Sequence, residues 1–243
     1  MKAKKSLGQN FLKSIPALQK IVEAGEISKD DTILEIGPGK GALTEKLLEK
    51  SNHVIAVEKD YRLFEFLQNK FTNQIKSGTL VLVHDDILNL DVSFDFEYKI
   101  IANIPYNITG AILKKFLTEK NQPERMILMV QNEVAKRITA SDKKESILSI
   151  SVKAYGNPKI VMKVPARYFS PAPNVDSAVI AIKNISRKIF IENKVDEREF
   201  WEIVRAGFAH KRKKLSSNLK KYAGLTSVEA LGNKRAEELS LAD

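Results

Sequence analysis

Thr32-Ile33-Leu34-Glu35-Ile36-Gly37-Pro38-Gly39-Lys40-Gly41 is an apolar run that breaks into alternate glycines. From Ala42 to Lys50 the residues Leu43, Leu47 and Leu48 fall on one helical face. Strand, glycine loop and helix, in that order, open a nucleotide-binding α/β unit. A second strand, His53-Val54-Ile55-Ala56-Val57, ends at Glu58, 21 residues after Gly37. That is close to the ~20 expected of an acid gripping ribose hydroxyls. The loop is neither of two phosphate-binding patterns. A dinucleotide fold would carry G-x-G-x-x-G where this chain has G-x-G-x-G, and the G-K-[ST] of a P-loop is absent. Alternate glycines headed by Glu35 suit a ligand without a phosphate there, lying against bare backbone, and S-adenosylmethionine is such a ligand. A loop whose glycines are purely structural is the alternative.

Further strands continue the pattern. Tyr61 to Lys76 is predicted to be one amphipathic helix, with Leu63, Phe64, Leu67 and Phe71 inward. Thr79 to His84 reads as a third strand, ending in Asp85-Asp86-Ile87-Leu88. A fourth, Tyr98 to Ala102, runs into Asn103-Ile104-Pro105-Tyr106, where proline cannot continue the ladder. Four successive edges thus carry Gly37 and Gly39, Glu58, Asp86 and Asn103. The carboxyl edge is where open α/β sheets bind ligands. Asn103 and the Ile104 carbonyl can accept both hydrogens of an exocyclic amine, and Tyr106 offers a face for a flat base. A strand-ending turn with a surface tyrosine is the plain alternative, as a solvated turn is for Asp86.

Ile108 to Glu119 is predicted helical, Arg125 to Gln131 a fifth strand, and residues 146–155 a helix although their pattern fits both periods. Lys159 to Val164 and Ala178 to Ile182 read as late strands closing the sheet with an antiparallel pair. Between them Phe169-Ser170-Pro171-Ala172-Pro173-Asn174 is stiffened by two prolines. It presents Phe169 either to the Asn103 edge or to the core. Near the N-terminus Gln9 and Asn10 lie between Leu7 and Phe11-Leu12, which suits an irregular segment with its amides inward, although these residues alone favour an ordinary N-terminal arm; Ser14 and Pro16 then start a helix.

From about Arg187 the composition changes. Asp196 caps a predicted helix, Glu197 to Phe208, and another runs through Leu215 and Leu219 to Tyr222, stopped at Gly224, with a short helix starting at Thr226-Ser227. Residues 205–221 hold seven Lys or Arg and no acid, including Lys211, Arg212, Lys213 and Lys214. A solvated face is the ordinary reading of a charge run. On a chain of net charge +10, phosphate contact is favoured. The expected organisation is a domain over 1–186 and a small all-helical one over 187–243.

The 243 residues, 43% of them hydrophobic, support a real core and exclude global disorder. Absence of cysteine excludes disulfides and thiolate metal sites, and His53, His84 and His210 lack ligand spacing. No apolar run approaches the ~20 residues of a membrane span. A soluble, cytoplasmic, metal-free monomer is expected, with an anionic partner that is either nucleic acid or an acidic membrane surface.

Together these motifs resemble the KsgA-type family of small-subunit ribosomal RNA adenine dimethyltransferases. The resemblance is carried by Lys5-Ser-Leu-Gly-Gln-Asn-Phe-Leu12, Glu35-Ile-Gly-Pro-Gly-Lys-Gly41, Glu58, Asp86, Asn103-Ile-Pro-Tyr106 and Phe169-Ser-Pro-Ala-Pro-Asn-Val-Asp-Ser177, together with the basic Phe208 to Leu219. It spans nearly the whole chain. It implies a class I S-adenosylmethionine-dependent methyltransferase sheet, Rossmann-like, with a helical C-terminal domain. The reaction implied is N6,N6-dimethylation of two adjacent adenosines in the 3′-terminal hairpin loop of small-subunit rRNA, within the small subunit or its precursor. Gln9, Asn10 and Leu12 would hold the methionine end of the cofactor, Gly37 and Gly39 its middle, Glu58 its ribose and Asp86 its adenine. Asn103, Ile104, Pro105, Tyr106 and Phe169 would form the catalytic group, with Asn103 also against the cofactor. Ile104 stands where leucine is common in this family, and isoleucine there is also seen in the related large-subunit adenine methyltransferases. The chain ends where family members usually continue into a last helix, so a shortened C-terminal domain is expected.

Overall fold

A computed structural model of the chain describes residues 3–4, 7–92, 94–140, 144–222, 230–241 and 243. The chain forms two compact units, Met1–Ala135 with Asn157–Ile185, and Lys136–Gly156 with Ser186–Asp243. Residues 136–156 therefore pack with the later part of the chain, whereas the sequence assigned them to the first domain.

In the first unit β1 (Phe11–Leu12) precedes α1 (Ile15–Gly25), which Ser14 caps by accepting the Ala17 N–H. β2 (Thr32–Ile36), α2 (Ala42–Leu48) and β3 (His53–Glu58) follow as read from the sequence. The predicted helix from Tyr61 to Lys76 is two, α3 (Tyr61–Lys70) and α4 (Thr72–Lys76). The break is at Phe71, which leaves helical geometry (φ −110°, ψ 28°) and is buried. Its ring fills the space beside Gly41, where a Cβ would stand 2.6 Å from it. Packing of one ring against the glycine loop thus overrides the helical period.

β4 (Leu80–His84), β5 (Tyr98–Asn103), α5 (Thr109–Thr118), β6 (Arg125–Gln131) and α6 (Asn132–Ile138) come next, then α7 (Ile147–Lys153), β7 (Asn157–Val164), β8 (Phe169–Ser170) and β9 (Ser177–Lys183). Seven strands form one sheet in the order β4-β3-β2-β5-β6-β9-β7. The first five are mutually parallel and β9 runs antiparallel to both neighbours. Chain order reverses between β2 and β5, and at such a switch point the carboxyl ends of the strands open a crevice. Aliphatic residues fill β5 and β6 on both faces, as a central strand covered by helices requires. At the opposite, amino-terminal edge the buried Lys99 reaches Asp31 at 2.7 Å and the Glu26 carbonyl at 3.1 Å.

The second unit contains α7, α8 (Lys188–Glu192), α9 (Glu197–Gly207) and α10 (Leu215–Asn218). Asp196 caps α9 through the Glu199 N–H at 2.9 Å. Tyr155, Phe190, Phe200 and Trp201 form a ring cluster, and the Trp201 indole donates to the Tyr155 hydroxyl at 3.1 Å. Leu215, Leu219 and Ala236 form a second small core. The expected stop at Gly224 and the helix start at Thr226-Ser227 lie outside the described residues.

Candidate active site

The carboxyl edges of β2, β3 and β5, the turn after β4 and the N-terminal arm enclose a cavity of about 850 Å³ in the first unit. This is at the upper end of the ~300–1,000 Å³ usual for small-molecule and cofactor sites. Gly37, Gly39, Glu58, Asp86 and Asn103 line it from the sheet side, and Gln9, Asn10 and Leu12 from the arm. Ile104, Pro105 and Tyr106 complete the rim.

The glycine loop lays backbone against this space. Gly37 has φ +66°, the left-handed region costly for side chains, and a Cβ there would meet nothing within 4 Å. Its bare face is therefore open for a ligand to fill. Glu58 holds the loop by accepting the Gly39 N–H at 3.0 Å and the Asp60 N–H at 2.8 Å. Burial pushes the Glu58 carboxyl up, against these backbone bonds. Beneath it Glu35 is 1% exposed and accepts the Thr44 hydroxyl at 2.6 Å. Burial pushes its carboxyl up to about 8. Asp86 receives Lys59 at 2.6 Å and the Leu88 N–H at 3.0 Å, and the Lys59 ammonium holds it below the usual carboxylate range.

At the fourth edge the Asn103 amide donates from Nδ2 to the Asn10 carbonyl at 3.3 Å. That bond uses the donor end and presents Oδ1 as an acceptor. Ile104 is 2% exposed and lines the cavity, and its carbonyl is the one hydrogen-bond acceptor the residue has. Tyr106 is half-buried, and its hydroxyl is 2.6 Å from Ser177 Oγ, which fixes the ring.

Phe169 is not brought to the cavity. It is 3% exposed, pairs with Leu12 across the β1–β8 ladder and belongs to the core cluster. The expectation that its ring faces Asn103 is corrected: the short ladder turns it inward, and its neighbour Ser170 lines the cavity instead. The arm is also more regular than read, because Phe11–Leu12 is a strand. Gln9 lines the cavity, but its side chain is engaged with Asp60 and Lys4. Asp60 and Ser177 were not picked out from the sequence. Asp60 carried a signal, as a polar residue directly before a helical run; Ser177 carried none beyond its motif.

In the second unit Lys211, Arg212, Lys213 and Lys214 are all exposed, and Lys214 reaches Asn233 at 3.1 Å. Among the described residues no group of three or more His, Asp or Glu could hold a metal ion, and no helix is long and apolar enough to cross a membrane.

The model of one protein family, ribosomal RNA adenine dimethylase, matches residues 1–241. The chain belongs to the ribosomal RNA adenine dimethylase family. Its similarity to curated members is of full length. It is 41% identical to the ribosomal RNA small subunit methyltransferase A of Dehalococcoides mccartyi strain CBDB1, covering 100% of this chain and 86% of that protein. It is 39% identical to the protein of the same name from Fusobacterium nucleatum, covering 99% and 94%. Among solved structures, a dimethyladenosine transferase from Plasmodium falciparum superposes with a TM-score of 0.81 at 26% identity, over 96% of this chain and 94% of that one. The 23S rRNA methyltransferase ErmE shares the fold, with a TM-score of 0.77 at 24% identity over 96% and 95%.

The seven-stranded sheet is accordingly that of a class I methyltransferase, and this dimethylase uses S-adenosylmethionine to dimethylate adenine in rRNA. The cavity fits that cofactor. It offers an open glycine face and carboxylates on the second and third edges, and the loop N–H groups of Gly37, Gly39 and Gly41 donate to Val57, Glu58 and Pro38 rather than turning to a phosphate.

Proposed function

We propose that this dimethylase modifies the N6 amines of two adjacent adenosines in the 3′-terminal hairpin loop of small-subunit rRNA. It would act on the small subunit or its precursor, in the cytoplasm, as a monomer. The small-subunit address is supported by the names of the full-length relatives. The chemistry rests on one observation: Asn103 donates one of its two amide hydrogens to the Asn10 carbonyl, which leaves Oδ1 as its acceptor on a rim that Pro105 and Tyr106 also line.

When bound, S-adenosylmethionine supplies a methyl group already activated by a sulfonium charge. The protein must align the adenine amine with it, because that nitrogen's lone pair is delocalised into the ring. Asn103 Oδ1 and the Ile104 carbonyl would draw both amine hydrogens to one side, favouring a pyramidal nitrogen with its lone pair free. This is pre-organisation with electrostatic alignment. Asparagine suits the task better than lysine, which cannot accept and would repel the sulfonium. The target base must leave its stack. Tyr106, held by Ser177, would receive its face, a contact worth ~1–3 kcal/mol. Phe169 would support the arm strand from the core rather than stack.

For the cofactor, Gln9, Asn10 and Leu12 would bound the methionine end, Gly37 and Gly39 the middle, Glu58 the ribose and Asp86 the adenine amine. The first domain would carry methyl transfer, and Lys211, Arg212, Lys213 and Lys214 in the second would contact rRNA phosphates. Labelled methyl transfer to isolated small subunits, large subunits and protein, followed by mapping of the modified nucleotide, tests the reading. Label on two adjacent small-subunit adenosines is expected. Label confined to large subunits or to protein would reject it.

A further inference from the structure

Asp60 stands at the start of α3 with a side chain that is 0% exposed, yet several donors converge on it. Arg62 supplies its backbone N–H at 3.3 Å and its guanidinium at 3.3 and 3.0 Å. These are local bonds, of the kind any capping aspartate with a nearby arginine can make. The other two are not local. Lys4 Nζ lies 2.8 Å away and Gln9 Nε2 donates at 3.0 Å, both from the N-terminal arm. Gln9 Oε1 in turn accepts the Lys4 backbone N–H at 2.7 Å, so the two arm residues are tied to each other as well as to Asp60.

The residue after Gln9 is Asn10, whose carbonyl receives Asn103 Nδ2 at 3.3 Å. The residue before is Gly8, at φ +64°, where a Cβ would stand 3.3 Å from Asn107 Oδ1 and 3.4 Å from Pro105 Cβ. The arm thus lies directly against the Asn103–Asn107 turn. Two points separated by the cavity, the end of β3 and the end of β5, are joined through Gly8, Gln9 and Asn10.

We propose that Asp60 is a positioning residue for methyl transfer: by anchoring Lys4 and Gln9 it fixes the Asn10 carbonyl, and with it the direction in which the Asn103 amide points. The inference rests on the reading of Asn103 as the acceptor for the target amine. An amide turned end for end would offer N–H to that amine and could accept nothing. The Asn10 carbonyl accepts a hydrogen bond from one end of the amide and so selects between the two orientations. The Arg62 guanidinium first, then Lys4 and Gln9, hold the Asp60 carboxyl well below its usual range, so the anchor stays charged through the physiological span.

Asp60→Asn separates anchoring from capping, because asparagine caps helices about as well as aspartate but loses the charge and one acceptor. The readouts are the Asn103 side-chain amide resonances of the full-length protein, assigned by their loss in Asn103→Ala, and steady-state kinetics on small subunits. In Asp60→Asn the resonances are expected to move, and kcat to fall roughly 10-fold, since a displacement of about 1 Å can cost more than that. Loss in kcat with KM held within about two-fold marks an interaction used in the transition state. Gln9→Ala should reproduce part of the loss and add little in the Asp60→Asn background, because both act through one tether. Unmoved resonances in folded Asp60→Asn, or fully additive losses, would overturn the proposal. Should Asp60→Asn fail to fold, unmoved resonances in Gln9→Ala decide against it equally. Normal turnover by Asn103→Ala would instead reject the reading of Asn103 and with it the catalytic consequence, whatever the resonances do.

Discussion

Glu35→Gln should make the protein more stable at neutral and alkaline pH and leave it unchanged in mild acid. Glu35 is fully enclosed under the glycine loop with the Thr44 hydroxyl as its partner. Burial pushes its carboxyl from 4.5 to about 8. The Thr44 bond opposes the shift, the like charge of Glu58 on β3 adds to it, and Lys70 at the end of α3 offsets part. Below pH 4.5 both folded and unfolded chains hold the proton, and the residue contributes no pH dependence. Between 4.5 and about 8 the unfolded chain releases it and the folded one does not, so stability falls as pH rises. At about 1.4 kcal/mol per pH unit the loss across that window is roughly 5 kcal/mol. Glutamine cannot ionise and still accepts the Thr44 hydroxyl, so it removes this slope alone. Urea unfolding of both proteins at pH 5, 6, 7 and 8, extrapolated linearly to water, gives the difference directly. It should widen with pH to roughly 3 kcal/mol in favour of glutamine at neutrality. Groups such as Glu26, held down to about 2 first by Lys183 and then by Arg125, do not confuse the result. Their folded pKa is depressed, so their contribution is complete above 4.5 and is lost only as pH falls below it. Parallel stability curves for the two proteins would show that Glu35 is ionised in the folded state and refute the reasoning.

Three further outcomes are expected. Asn103→Ala should keep S-adenosylmethionine binding by calorimetry and lose at least ~10²-fold in turnover, the scale of one missing transition-state partner; near-normal turnover would remove Asn103 from its role. Phe169→Ala should cost ~3–5 kcal/mol of stability, as a core phenylalanine does, and urea unfolding that found under about 1 kcal/mol would put the ring outside the core. Replacing Lys211, Arg212 and Lys213 by glutamine should weaken rRNA binding and flatten its dependence on salt concentration, because fewer counterions are released; an unchanged slope would leave them a solvated face.

What the sequence discloses here follows from how each residue does its work. The glycine loop, Glu58, Asp86 and Asn103 were legible because the sheet repeats one rule: an apolar strand ends, and the next residue stands on the rim. Position along the chain is then position along the cavity, and no knowledge of packing is needed. Phe169 was not legible for the opposite reason. Its location depends on a two-residue ladder with Phe11 and Leu12, over 150 positions away, too short to leave a period of its own. The same holds for the break at Phe71, set by a ring meeting Gly41 and not by any local preference.

Asp60 shows where that distinction has consequences for catalysis. As a helix cap it is explained completely by its own neighbourhood, and a reader of the sequence would stop there. Its contacts with Lys4 and Gln9 arise only because the arm crosses from the end of β3 to the turn after β5. A capping role alone predicts no communication between Asp60 and Asn103, since the two share no direct bond. The arm supplies the link, and its rigidity follows from separate constraints: Gly8 in the left-handed region close against Asn107 and Pro105, Phe11–Leu12 in a ladder, and two side chains on one buried charge. Loosening any of these should disturb the Asn103 amide before it disturbs the sheet, so arm variants are expected to lose turnover at temperatures where β-sheet circular dichroism is still intact. Coincident loss of both signals would mean that the arm is simply part of the folded core.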